Sequence, residues 1–132
     1  TGTKEGCAEG DCGACTVSVI EHGADCTPAY RAVCSCLVLP PMIQGKRIYT
    51  VEGLAADPRL ARLQDNFVRC GAAQCGICTP GFLMTAAELC QRGQVLNRAE
   101  VRDAVAGNLC RCTGYKKIID AVEEALCADQ PR

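Results

Sequence analysis

Gly6-Cys7-Ala8-Glu9-Gly10-Asp11-Cys12-Gly13-Ala14-Cys15 runs directly into Thr16-Val17-Ser18-Val19-Ile20, and this stretch decides how the first half of the chain is read. Three cysteines spaced C-x4-C-x2-C, with a further cysteine at a distance, match the plant-type arrangement for a [2Fe–2S] cluster. The spacing has a geometric reason. Three thiolates on one loop must converge on two irons, so the loop curls, and Gly6, Gly10 and Gly13 permit the φ values and close approach that curling demands. Backbone N–H groups can then point at the sulfurs and tune the cluster. A Gly-rich turn with incidental cysteines is the bland alternative, and the agreement of spacing with glycine placement argues against it. Residues 16–20 alternate and are β-branched, which predicts a strand leaving the loop. Cys26, Cys34 and Cys36 all follow as possible fourth ligands. On a strand Cys34 and Cys36 point to the same face, so spacing leaves the choice open.

Working outward, Cys36-Leu37-Val38-Leu39 reads as a second short strand and Arg47-Ile48-Tyr49-Thr50-Val51 as a third, with turns at Pro40-Pro41 and Gln44-Gly45-Lys46. Residues 52–56 read as a linker. Beyond them the periodicity turns helical. Asp57-Pro58 is an N-cap with proline at the first helical position, and Leu60, Leu63 and Phe67 follow on one face up to Gly71. Thr79-Pro80 repeats the start signal for a helix ending near Gly93. Asn97, with Glu100 three residues later, forms a capping box for a third helix that stops at Gly107. A fourth runs over 116–127 with Ile118, Ile119, Val122 and Leu126 inward. Four helices on short links suggest a small bundle. No strand precedes the cysteine loop to pair with 16–20, and three short strands are thin for a sheet. The expectation is that the start of this domain is missing, disordered or carried elsewhere.

The helical half has its own cysteines. Cys75-Gly76-Ile77-Cys78 and Cys110-Arg111-Cys112 each sit just before a predicted helix start, where unsatisfied N–H groups and the positive dipole end favour thiolates. In an antiparallel bundle both pairs meet at one end and supply four ligands. A structural zinc site with four cysteine ligands competes on spacing alone, because C-x2-C serves both metals.

Composition sets bounds on the function. The chain has 132 residues, 48% of them hydrophobic, with 14 Lys+Arg against 15 Asp+Glu for a net charge of −1. That balance gives no electrostatic drive toward nucleic acid or an anionic membrane. No apolar run approaches the roughly 20 residues of a membrane span. No signal peptide is evident at the start, so a cytoplasmic setting is expected. The 13 cysteines would suit a secreted disulfide scaffold, yet the number is odd and most lie in tight C-x2-C or C-x-C clusters, which favours shared metal. Aromatics are scarce at 4%, so bound metal is expected to supply part of the stability. Cys90 and Cys127 fall on apolar helix faces and read as small buried hydrophobes; Cys26, Cys34 and Cys70 have no motif role. His22 sits in a polar turn and reads as solvated.

Three segments occur in order: 6–17, Gln74-Cys75-Gly76-Ile77-Cys78-Thr79-Pro80-Gly81, and Gly107-Asn108-Leu109-Cys110-Arg111-Cys112-Thr113-Gly114-Tyr115. Together they resemble the iron–sulfur subunit or domain of the xanthine oxidase family of molybdenum hydroxylases, the bacterial xanthine dehydrogenase small subunit above all. The resemblance implies an α+β chain: a plant-ferredoxin-like β-grasp domain over 1–53, truncated at its start, then an all-α four-helix-bundle [2Fe–2S] domain over 54–132. It implies a second [2Fe–2S] cluster on Cys75, Cys78, Cys110 and Cys112 in place of zinc. It selects Cys36, followed by Leu37 and at the family's distance from Val51-Glu52-Gly53, as fourth ligand beside Cys7, Cys12 and Cys15. Gln74 and Cys112 would contact molybdopterin held on a large partner subunit, with FAD on a medium subunit. The chain has no Gly-x-Gly-x-x-Gly and is too short for molybdenum or flavin domains, so its implied task is electron relay from a site oxidising an N-heterocycle or aldehyde. A free-standing ferredoxin and a zinc-based interaction module are the rival readings.

Overall fold

The computed structural model describes residues 2–22 and 28–128. Three strands, β1 (Thr16–His22), β2 (Pro28–Cys34) and β3 (Arg47–Tyr49), precede four helices, α1 (Pro58–Arg69), α2 (Thr79–Arg92), α3 (Arg98–Ala104) and α4 (Lys116–Ala128). The sheet order is β2-β1-β3, both pairings antiparallel, with Thr16 opposite Cys34 and Ser18 opposite Tyr49. β1 is central, and residues 16–20 are buried without interruption, because neighbours flank it on both sides. The sheet lies against α2, where the Ala32 N–H donates to Glu88 Oε2 at 2.7 Å.

The second strand differs from the sequence expectation. Cys36 and Leu37 belong to a single 3-10 turn, Ser35–Leu37, and the strand is Pro28–Cys34 instead. Its Pro-Ala-Tyr-Arg-Ala-Val run lacks a clean apolar alternation because it is an edge strand, held by seven residues of pairing with β1. His22 ends β1 opposite Pro28 and is exposed.

The expected linker is also structured. Val51–Ala56 forms a 3-10 helix that buries Leu54 to 1% exposure in the helical core. That core gathers Leu60, Leu63, Phe67, Phe82, Met84, Val101, Ile118 and Val122 into one cluster. Several helix signals act as read, but α2 has Cys78 rather than Thr79 at its N-cap, with no side-chain cap, and α3 ends at Ala104, short of Gly107. Asp57 accepts from the Arg59 N–H at 2.9 Å, Gly93 adopts φ +63°, and Asn97 with Glu100 closes a capping box. Cys90 is buried, whereas Cys127 is exposed, one residue round the helix from the Ile118–Val122–Leu126 stripe. No helix among the described residues is long and apolar enough to cross a membrane.

Candidate metal centres

The first cysteine loop curls as its glycines demand. The Cys12 N–H donates to Cys7 Sγ at 3.4 Å, and the Cys36 N–H donates to Cys15 Sγ at 3.5 Å. The four thiols therefore fall into two pairs, Cys7 with Cys12 and Cys15 with Cys36. The 3-10 turn after β2 swings Cys36 inward, and Ser35 ties that turn to the Cys15 carbonyl through its N–H (3.3 Å) and hydroxyl (2.8 Å). Cys34, at the end of β2, instead donates its thiol to the Gly10 carbonyl at 3.5 Å. Cys26 lies outside the described residues.

Electrostatics within the loop divide the thiols. Converging N–H groups of Glu9, Cys12 and Asp11, Glu9 foremost, hold Cys7 down at about 7. Burial raises Cys15, but donors from Cys36 and Ser35 outweigh it and the net shift is downward. Cys36 is raised, first by sharing a proton with Cys15 and then by burial. Cys7 and Cys15 thus lean on N–H donors, the arrangement that stabilises an anionic cluster.

The second set converges from two segments. Cys112 Sγ lies 3.5 Å from Cys75 Sγ, and Cys78 pairs with Cys110. Cys75 and Cys112 are exposed, Cys78 is buried and Cys110 is half-buried. Gln74 sits beside Cys75 on the exposed side. Cys110 Sγ has the Thr113 hydroxyl at 3.0 Å and the Thr113 N–H at 3.4 Å. Tyr115 closes the loop: its Oη accepts from the Cys110 N–H at 2.9 Å, its N–H donates to Thr113 Oγ1 at 3.2 Å, and its ring meets Phe82 edge-on at 6.2 Å. Burial, then the neighbouring Cys110, pushes the Cys78 thiol up to about 12. The helix start at α2 does not offset that desolvation, and a bound cation would favour the ionised Cys78.

Several observations bear on whether these residues fit an iron–sulfur cluster. All eight donors are sulfur, which suits zinc or iron–sulfur. The thiols come two by two, and a [2Fe–2S] cluster takes two protein ligands on each iron. Thr79 Oγ1, directly after Cys78, is buried with no hydrogen-bond partner, a group that an anionic occupant would satisfy. Ala8 (φ 60°) and Tyr115 (φ 67°) are the non-glycine residues with positive φ among those described, and one stands in each cysteine loop. The residues fit.

The two sets are joined directly. The Leu109 N–H donates to the Cys12 carbonyl at 2.9 Å, and Asn108 Nδ2 donates to the Gly13 carbonyl at 3.0 Å. Thr85 Oγ1 holds the other end of Asn108 at 2.7 Å, and Asn108 is 3% exposed. Gly13 (φ +68°) and Gly81 make the approach possible: a Cβ on Gly81 would stand 2.1 Å from the Gly13 carbonyl oxygen. Asn108, Gly81, Thr113 and Tyr115 were visible in the sequence as motif members without roles. Their contacts lie across the fold or depend on an unusual φ, so the sequence showed Asn108 beside a C-x-C pair but not its burial.

Residues 50–123 match the family described as "[2Fe-2S] binding domain". The chain is 48% identical over 125 residues to the nicotine 6-hydroxylase small subunit of Paenarthrobacter nicotinovorans, covering 95% of this chain and 70% of that one. It is 46% identical over 121 residues to the xanthine dehydrogenase iron-sulfur-binding subunit of Escherichia coli O157:H7, covering 90% and 70%. The crystal structure of quinoline 2-oxidoreductase from Pseudomonas putida 86 superposes with a TM-score of 0.81 at 44% identity, over 98% of this chain and 75% of that one. With a family match over more than half of its residues and relatives this near over almost its whole length, the chain belongs to the iron–sulfur subunits of the xanthine oxidase family of molybdenum hydroxylases.

Proposed function

We propose that this chain holds one [2Fe–2S] cluster on Cys7, Cys12, Cys15 and Cys36 and another on Cys75, Cys78, Cys110 and Cys112. The subunit thereby carries electrons from a molybdopterin site on a large partner subunit to FAD or another acceptor. The observation that supports this most is the pairing of thiols at both sites combined with the hydrogen bonds, Leu109 N–H to the Cys12 carbonyl and Asn108 Nδ2 to the Gly13 carbonyl, that join the two loops. A [2Fe–2S] cluster supplies reversible one-electron transfer when bound. The chain's residues do the rest: they fix the two sets side by side, exclude water from Cys15 and Cys78, and aim N–H donors at the sulfurs.

In this reading residues 1–53 form the plant-ferredoxin-like β-grasp unit and 54–132 the four-helix-bundle unit. Gln74 and Cys112, on the exposed side of the second set, contact the pterin. Exposed Ile77 and Leu109 at 49% and 52% rim that set and suit burial against the large subunit. A medium subunit carries FAD, the substrate is an N-heterocycle or an aldehyde, and the complex works in the cytoplasm. Oxidation of substrate takes place wholly on the partner.

Iron and acid-labile sulfide analysis of the anaerobically purified chain is the test. About four of each per chain, with two distinguishable EPR signals after dithionite, is the expected result. Cys78→Ser should remove one signal and spare the other, and Cys36→Ser should do the converse. Zinc without iron would overturn the proposal. A complex in which Gln74→Ala left turnover unaltered would overturn the pterin contact.

A further inference from the structure

The loop Cys110–Tyr115 contains a hydroxyl set between a backbone N–H and a cysteine sulfur. Thr113 Oγ1 accepts the Tyr115 N–H at 3.2 Å, and Cys110 Sγ lies 3.0 Å from the same oxygen. A hydroxyl has one proton to give and two lone pairs, and the Tyr115 N–H takes one of those lone pairs. A metal-bound thiolate has no proton, so it can only accept. The Thr113 O–H is therefore placed to point at Cys110 Sγ, 3.0 Å away, alongside the Thr113 N–H at 3.4 Å. The loop holds this geometry firmly. Tyr115 sits at φ 67°, its Oη accepts the Cys110 N–H at 2.9 Å, and its ring is seated against Phe82.

We propose that Thr113 is a positioning residue that sets the reduction potential of the helical cluster through a hydroxyl hydrogen bond to the Cys110 sulfur. This rests on the reading of Cys110 as a ligand. Reduction adds one negative charge to the cluster, and a donor aimed at a ligand sulfur stabilises that charge more in the reduced state than in the oxidised one. The donor therefore raises the potential. The helical set bears Gln74 and Cys112 on its exposed side, where the partner's electrons would arrive, so a higher potential there favours uptake.

The test is an EPR-monitored redox titration of the iron-loaded full chain and of its Thr113→Val and Thr113→Ser forms. Thr113→Val removes the proton at nearly constant shape, so the helical cluster's midpoint should move to a more negative potential while the other cluster's stays in place. Thr113→Ser should restore the wild-type midpoint. An unmoved midpoint in Thr113→Val with both signals intact would refute the proposal, as would a serine form that shifts as far as valine. If Thr113→Val fails to load iron, the wild-type chain decides. Its helical-cluster Fe–S stretching bands should shift in D2O, and that shift should be smaller in Thr113→Ala; equal D2O shifts in the two proteins refute the role. Wild-type protein lacking iron altogether would instead bring down the ligand assignment, a distinguishable failure.

Discussion

Replacing Gly81 by alanine separates two opposed physical effects, and their difference is large. Gly81 is the third residue of α2, and helix propensity alone makes alanine more favourable there by about 1 kcal/mol. The tertiary contact opposes this. The new Cβ would stand 2.1 Å from the Gly13 carbonyl oxygen and 3.0 Å from Asn108 Nδ2. A backbone carbonyl cannot swing aside, so α2 must move off the first cysteine loop. Overpacking of this kind costs about 1–3 kcal/mol. The displacement also weakens the Asn108 Nδ2–Gly13 and Leu109 N–Cys12 hydrogen bonds, each contributing about 1 kcal/mol net. Gly81→Ala should therefore lose about 3 kcal/mol in all, a fall of about 10 °C in the unfolding midpoint for a domain this size. Circular dichroism melts of the iron-loaded wild type and variant, run at one scan rate with iron content measured on the same samples, provide the assay. A variant that melts at or above the wild-type temperature would show that propensity governs this position and that the loop junction is loose.

Asn108→Asp keeps an acceptor for Thr85 Oγ1 but loses the donor to the Gly13 carbonyl and buries a carboxylate; it should destabilise by about 2 kcal/mol or more, and a denaturation midpoint equal to wild type would contradict the junction. Cluster assembly on the metal-free chain should speed up as pH rises from about 6 to about 9, because the raised thiols Cys78, Cys36 and Cys112 bind metal only after losing protons. In the same experiment near neutral pH the ferredoxin-type EPR signal should appear before the helical one, since Cys7 lies at about 7 and Cys78 at about 12; simultaneous, pH-independent loading counts against this account. Asn97→Ala breaks the capping box of α3 and should cost about 1 kcal/mol while both clusters persist, as read by melting and EPR.

The sequence by itself determined the features that arise within a few residues. C-x4-C-x2-C with its glycines, the Asp57-Pro58 and Thr79-Pro80 starts, the Asn97–Glu100 box and the Gly93 stop all specify local backbone, and local backbone is where propensity and spacing act. Only the tertiary structure decided the rest. β2 has a weak pattern of its own and exists through pairing with β1; Cys36 turns inward on a 3-10 segment rather than a strand; Leu54 draws the supposed linker into the core. The junction of the two cysteine sets depends on Gly13 meeting Asn108 across 95 residues of chain, a contact that chain proximity cannot impose. Such contacts are set by how α2 and the sheet pack, so their residues carry no local signature, and the pairing of sulfurs becomes legible once the two halves are folded together.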